Sequence, residues 1–226
     1  MSLPSEAQAA TRQASSPESS LAASPAPIEE LRRAVRRGDL EVARTLLEVD
    51  PSMGRALSAS GGSLLLEAVE REHDQLGELF SETRSRTGGE DLDVHEACAL
   101  GRPGAVRRAI TDDPLAAETV GPAGFLPLHR AAFRGDADSV MLLLETGADA
   151  SARSENTARL SPLHSAVAGH GRARQGGDHA AVIRTLLSGG ADPSAEMEGG
   201  WTPLAAATRD GAEGLIEALG GAPTDA

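Results

Sequence analysis

Apolar residues recur through residues 126–149, LPLHRAAFRGDADSVMLLLETGAD, as two short helical patterns separated by Gly135. Pro127 suits the first position of a helix, where its missing N–H is not needed, and Gly135 suits the left-handed residue that ends one. The second pattern places aliphatic side chains such as Val140 and Leu143 on one helical face. The segment therefore predicts a helix, a tight turn, a second helix and a closing loop.

The same pattern returns further along the chain. Pro127, Pro162 and Pro203 head three similar segments that are spaced 35 and 41 residues apart. The second segment carries eight extra residues within GRARQGGDH, and correcting for them leaves a period near 33. Two helices this short are unstable alone, because nucleation is costly and each buries one face, whereas stacked copies bury both sides. The chain is therefore predicted to be all-α, as a solenoid of stacked helix pairs.

Less regular copies precede these three. Residues 31–51 and 93–110 fit the two-helix pattern, and residues 63–80 fit it weakly, without the His or the turn Gly. Six repeats are predicted near residues 28–57, 58–88, 89–120, 121–155, 156–196 and 197–226. Residues 1–27 are rich in Ser, Ala and Pro, so burial cannot offset the entropy of ordering them and a disordered tail is predicted.

The repeated segments resemble ankyrin repeats. The residues that carry this resemblance are Pro-Leu-His at 127–129 and 162–164, Thr-Pro-Leu at 202–204, and two Gly-Ala-Asp turns. The resemblance covers about residues 28–226 and implies an ankyrin-repeat solenoid of about six helix–turn–helix–loop repeats. It also implies that the imidazoles of His129 and His164, and of His95 with them, hydrogen-bond the loop backbone of a neighbouring repeat.

The resemblance further implies a non-catalytic module that binds a partner protein through its concave face. Carried over to matching positions, it nominates the exposed ends of the first helices and two loop-tip aromatics, because Arg and aromatic residues are the usual interface anchors. These positions are Arg36, Arg37, Glu70, Arg71, Ala99, Leu100, Phe133, Arg134, Arg209 and Asp210, with Phe125 and Trp201 at the loop tips. The alternative for Phe125 and Trp201 is that they brace the adjoining loop.

The charge and composition of the chain narrow the classes of partner that it could bind. The formal charge is −13, which argues against a nucleic acid because phosphate binding needs clustered cations. Residues 61–100 hold ten acidic and three basic side chains, which would suit a basic partner or simply a solvated surface. No apolar run is long enough to span a membrane. The N-terminal residues also lack the cationic start and following apolar stretch that would indicate a secretory signal. We expect a cytoplasmic monomer, and the Arg-only, Ala- and Gly-rich composition is typical of bacterial genes.

Chemistry at particular side chains is the alternative reading. His164, His170, Asp178 and His179 would be N and O ligands for zinc, but their spacing matches no short metal motif. Cys98 lies three residues after His95 on a predicted helix, which would suit a Cys-dependent enzyme, although packing explains both. We therefore predict no catalytic residue, metal or cofactor.

Two further questions concern the insertion and export. The inserted residues either reach an acidic partner through Arg172 and Arg174 or are merely tolerated length. A secreted effector that acts inside a host is a further alternative for the whole chain.

Overall fold

The computed structural model describes residues 26–59, 61–89, 91–172 and 177–221. Within these ranges the chain forms twelve α-helices and no strand. The helices are α1 (Pro27–Arg37), α2 (Leu40–Val49), α3 (Leu64–Glu70), α4 (Asp74–Thr87), α5 (Val94–Leu100), α6 (Pro103–Asp112), α7 (Pro127–Arg134), α8 (Ala137–Glu145), α9 (Pro162–His170), α10 (His179–Ser188), α11 (Pro203–Arg209) and α12 (Glu213–Ala218). One helix pair lies in each predicted repeat, with α1 beginning one residue early.

The turn between the two helices of a repeat is built from Gly and Asp. Gly135 ends α7 with a φ of 79°, and its N–H donates to the carbonyl of Ala132. The next residue, Asp136, caps α8 by accepting from the N–H of Ser139 at 3.1 Å. In the first repeat, Gly38 likewise ends α1 in the left-handed conformation and Asp39 caps the start of α2. The predicted role of the turn glycine is therefore confirmed in these repeats.

The helices stack in two layers. Each first helix contacts the first helix of the next repeat, from α1 through to α11, and the second helices α6, α8, α10 and α12 form the other layer. Small residues such as Ala131 and Ala132 are fully buried, so the first helices approach closely. Leu143 and Leu186 from the second helices are also fully buried. One continuous aliphatic core therefore runs along the chain, as the near absence of aromatic residues requires.

The closing loops are of two kinds. After the fourth and fifth repeats, the carboxylates of Asp149 and Asp192 accept from the backbone N–H two residues ahead, at 2.8 and 2.9 Å. These are the predicted turns of the two Gly-Ala-Asp motifs. After the first and third repeats, an Asp-Pro pair instead opens a short 3-10 turn, at Pro51–Arg55 and Pro114–Glu118. The sequence pattern did not predict this second kind of loop.

Two predicted features fall mainly outside the described residues. The disordered tail, residues 1–27, lies outside them except for Ala26 and Pro27. Of the insertion, residues 173–176 also lie outside, so Arg174 has no structural account here. Among the helices that are described, none is long and apolar enough to cross a bilayer.

Candidate functional site

Two histidines join consecutive repeats. The Nε2 of His129 donates to the carbonyl of Leu160, and the Nε2 of His164 donates to the carbonyl of Trp201, both at 2.9 Å. Each acceptor belongs to the loop of the following repeat. Burial lowers the pKa of His129 to about 4 and also lowers the pKa of His164, so both rings are neutral near pH 7. The structural role predicted for these two residues is confirmed.

His95 occupies the corresponding place on α5 without making the corresponding bond. Its ring packs against Gly121, where a Cβ would come within 2.6 Å of it, and neither ring nitrogen has a hydrogen-bond partner among the described residues. Burial and the nearby charge of Arg130 lower the pKa of His95 to about 4. His95 therefore does not make the close bond that His129 and His164 make, although the loop backbone at Thr119 lies near enough to favour its charged form, and its ring is a packed, neutral core group.

A buried arginine joins the first three repeats. Arg84 on α4 donates its Nε to the carbonyl of Gly54 and an Nη to the carboxylate of Glu96, both at 2.8 Å. Both side chains are almost completely buried. Glu96 also accepts from the N–H of Asp93, which closes a capping box at the start of α5. This second repeat, whose motif was weakest in the sequence, is thus held by ionic contacts rather than by a histidine.

The inner layer of helices forms one groove of about 410 Å³. Its floor and walls are mostly apolar, with contributions from α3, α5, α7 and α9. The lining side chains include Val69, Ala99, Phe125, Phe133, Leu160 and Ala168, with the charged groups of Glu70, Arg130 and Arg172. The predicted positions Glu70, Ala99, Phe125 and Phe133 are thereby brought together.

Arg130 fixes one side of this groove. It donates one Nη to Glu70 and the other to the carbonyl of Pro122, both at 2.7 Å. Its guanidinium carbon lies 5.9 Å from the centre of the Phe125 ring. The Arg130 side chain is only 7% exposed, so it is a rigid part of the wall rather than a mobile surface charge. Phe125 in turn packs against the ring of His129, and it therefore braces its own loop as well as lining the groove.

Two further arginines, one lining the groove and one beside it, reach the turn after α3 and the first residue of α4. Arg172 lies over Phe133, with its guanidinium carbon 5.5 Å from the ring centre, and pairs with Glu72 at 2.7 Å. Arg134 passes over Gly101 and reaches Asp74 at 3.5 Å. The Arg134 bridge spans the third repeat, where its side chain packs on Gly101, and the Arg172 bridge spans the third and fourth repeats.

The other predicted positions lie apart from the groove. Arg36 and Arg37 are exposed at the end of α1, and Arg71 pairs with Glu67 on its own helix. Trp201 is 43% exposed, and Arg209 both covers its ring and pairs with the adjacent Asp210. Trp201, Arg209 and Asp210 form a second, more open surface on the last repeat.

The predicted exposure of Leu100 is corrected by the structure. It was expected at the exposed end of a first helix, but it is only 6% exposed. Its side chain packs toward Gly77 of α4, where an added Cβ would come within 3.3 Å of Leu100. Val69 and Leu100 both fill the space above Gly77, and Leu100 is thereby part of the core.

The residues considered for chemistry are occupied by packing and capping. Cys98 is fully buried, and burial raises the pKa of its thiol far above the ordinary range. Asp178 caps α10, and His179 donates to the carbonyl of Phe133 at 3.1 Å. Across the described ranges, no three His, Cys, Asp or Glu side chains come together as a metal site.

Sequence reasoning named Glu70 and Arg172 but missed their partners, Arg130 and Glu72. Arg130 is separated by 60 residues from Glu70, and Arg172 by 100 residues from Glu72. The only available signal was the charged residue at position 72, where other repeats place the turn glycine.

Comparison with known proteins supports the resemblance to ankyrin repeats. The family model named "Ankyrin repeat" matches residues 123–155, which contain α7, α8 and the loop after them. The chain is similar to the mouse ankyrin repeat and SOCS box protein 16, with 42% identity over 94 residues. It is also similar to the Drosophila neurogenic locus Notch protein, with 39% identity over 102 residues. Residues 123–155 therefore match an ankyrin repeat, and the chain is similar to ankyrin repeat proteins.

The likeness concerns the repeats and not the whole of either relative. It covers 41% of this chain and 20% of the mouse protein. For the Drosophila protein the shares are 45% and 3%. Ankyrin repeats are generally protein–protein interaction modules, and stacked repeats offer an extended concave surface for this purpose.

Proposed function

We propose that this chain binds a partner protein, without catalysis, through the groove between α3, α5, α7 and α9. The observation that supports this most is the groove itself, in which Phe125 and Phe133 are presented on a floor of small residues. Aromatic side chains in a pre-formed apolar pocket beside fixed arginines are the usual anchors of protein interfaces. Because the wall is already ordered by Arg130, little conformational entropy is lost on binding.

The second surface, on the last repeat, extends this interface. Trp201 is exposed with Arg209 stacked on it, and both follow the groove along the inner layer of helices. Arg36 and Arg37 lie exposed at the opposite end of that layer, on α1. In this proposal the groove is the main contact surface for the partner, and the two end surfaces are additional contacts.

Quantitative affinity capture tests the proposal. The tagged chain is incubated with lysate of the cells that make it, and bound proteins are measured for wild type, a groove variant and an outer-surface control. The groove variant is Phe133→Ala with Arg172→Ala. The control is Met141→Ala with Arg107→Ala, which also removes one apolar and one arginine side chain, both from an exposed surface of α6 and α8.

We expect a partner that the wild type and the control retain and the groove variant loses, with all three equally helical by circular dichroism. A partner retained by the groove variant and lost by the control would move the interface to the outer helices and overturn the proposal.

A further inference from the structure

The second repeat has a glutamate, Glu72, at the turn position where most other repeats have glycine. Glu72 follows α3 at a φ of 66°, in the left-handed region that side chains other than Gly rarely adopt. Its N–H donates to the carbonyl of Val69, as the turn residue does in the other repeats. The equivalent turn positions hold glycines, namely Gly38, Gly101, Gly135 and Gly211. The second repeat therefore keeps a disfavoured backbone conformation and gains a side chain at the edge of the groove.

That side chain has one partner among the ion pairs of the described residues, and it lies three repeats away. The carboxylate of Glu72 receives an N–H from Arg172 at 2.7 Å, across 100 residues of sequence. Both side chains are 53% exposed, so solvent reaches the pair and it opens at little cost. Arg172 is held separately by the Phe133 ring, with 5.5 Å between its guanidinium carbon and the ring centre. When the pair opens, the arginine remains over the groove.

The groove lining then carries an excess of positive charge. Its cations are Arg130 and Arg172, and its one carboxylate, Glu70, is already bound to Arg130. Glu72 does not line the groove. The open arginine therefore faces a pocket whose other side chains are mostly apolar, and an acceptor for its N–H groups must come from the ligand.

On the basis of the proposed function, we infer that the groove takes an acidic segment of the partner, in which an Asp or Glu carboxylate lies beside an apolar residue. The apolar residue packs on Phe125 and Phe133, and the carboxylate replaces Glu72 on Arg172. Glu72 is thus a built-in competitor that holds Arg172 in place in the free protein. The chain's negative net charge does not oppose this at close range, since salt screens charges separated by more than about 8 Å.

Selection from a displayed library of short random peptides tests the inference, with the immobilised full chain as bait. On the wild type we expect enriched peptides to carry Asp or Glu next to Leu, Ile or Phe. On a charge-swapped variant, Glu72→Arg with Arg172→Glu, the same selection is expected to enrich Lys or Arg instead. The matched control swaps an ion pair outside the groove, Glu78→Arg with Arg102→Glu, and is expected to leave the acidic preference unchanged.

Affinity measurements with one enriched acidic peptide sharpen the test. Glu72→Gln removes the competitor, so we expect binding to tighten by about two- to fivefold, which corresponds to the strength of an exposed ion pair. Arg172→Gln removes the recognition group, and we expect at least a similar loss of affinity. Both positions are exposed, so neither change threatens folding.

The outcomes separate this inference from the proposed function. Peptides that require Phe133 but show no acidic preference, or a basic one, would overturn the acidic ligand and leave the groove as a binding surface. Peptides whose binding survives Phe133→Ala in a folded variant would overturn both. An acidic preference that the swap of positions 72 and 172 does not reverse would also contradict the role of Arg172.

Discussion

The fourth and fifth repeats hold the loop of the following repeat through a histidine, whereas the second repeat holds its neighbours through Arg84. The histidine bonds are neutral and each links two repeats, through His129 or His164. The arginine reaches the repeat before it, at Gly54, and the repeat after it, at Glu96. Loss of a histidine removes one hydrogen bond, but loss of the arginine leaves an uncompensated buried charge. The two halves should therefore respond differently to mutation and to pH.

The largest effect is expected from Arg84→Met. This change leaves the Glu96 carboxylate buried without its cation, so we expect unfolding free energy to fall by about 3–5 kcal/mol. Urea unfolding followed by circular dichroism at pH 7 measures it. Arg102→Met removes an arginine from a partly exposed pair with Glu78 and is expected to cost at most about 1 kcal/mol. Equal losses in both variants would show that burial does not distinguish the two pairs.

The next effect is a loss of stability in mild acid. The pKa values of His95 and His129 are lowered to about 4 in the folded state. Below pH 6.5 the folded chain therefore binds fewer protons than the unfolded chain. Their stabilising contribution is therefore complete above the unfolded pKa and is lost as the pH falls from about 6.5 toward 4. Each histidine should cost about 1.4 kcal/mol per pH unit in that window.

Urea unfolding between pH 7.5 and pH 4.5 measures this slope. We expect His129→Asn to remove the contribution of His129 and to flatten the curve. An unchanged slope in the variant would mean that His129 is not held neutral in the folded state.

A smaller difference separates two histidines at matching positions. His129→Leu leaves the carbonyl of Leu160 without its donor and should cost about 1–3 kcal/mol. His95→Leu loses no close hydrogen bond of the kind made by His129 and replaces a buried polar ring, so its cost should be under about 1 kcal/mol. The same unfolding assay compares them at pH 7.5. A larger loss for His95→Leu would show that its ring shape matters more than hydrogen bonding.

The smallest effect is a gain. Glu72→Gly relieves the left-handed backbone at position 72 and removes only an exposed ion pair, so we expect stability to rise by up to about 1 kcal/mol. Gly135→Ala is the opposite control, because its new Cβ would come within 2.8 Å of Gly177 at a φ of 79°. A destabilised Glu72→Gly variant would mean that the pair with Arg172 outweighs the backbone strain.

The repeat architecture follows from short-range signals, and these were sufficient. Pro127 and Gly135 mark helix ends by their own conformational limits, and the Asp of each Gly-Ala-Asp motif forms its turn locally. The positions of His129 and His164 were inferred through the family resemblance. The inward turn of Leu100 was not predictable, because it depends on the missing side chain of Gly77 in another repeat.

The walls of the groove depend on contacts that no local pattern encodes. Arg130 meets Glu70, and Arg172 meets Glu72 three repeats away, only because the inner helices stack in register. The sequence therefore predicts the apolar aromatics of the site better than its charged rim. Glu70 and Arg172 of that rim were named from the sequence, whereas a non-glycine at the turn position was the one visible sign of Glu72.

Site-specific photo-crosslinking tests the central claim most directly, since it reports where the partner lies and does not depend on weakening the interaction. A benzophenone side chain replaces Phe133 in the groove or, as the control, Met141, which is exposed on the outer helix α8. After irradiation in lysate of the source cells, we expect one partner to be crosslinked from position 133 and not from position 141. Crosslinking of the same partner from position 141 alone would contradict the groove as the binding surface.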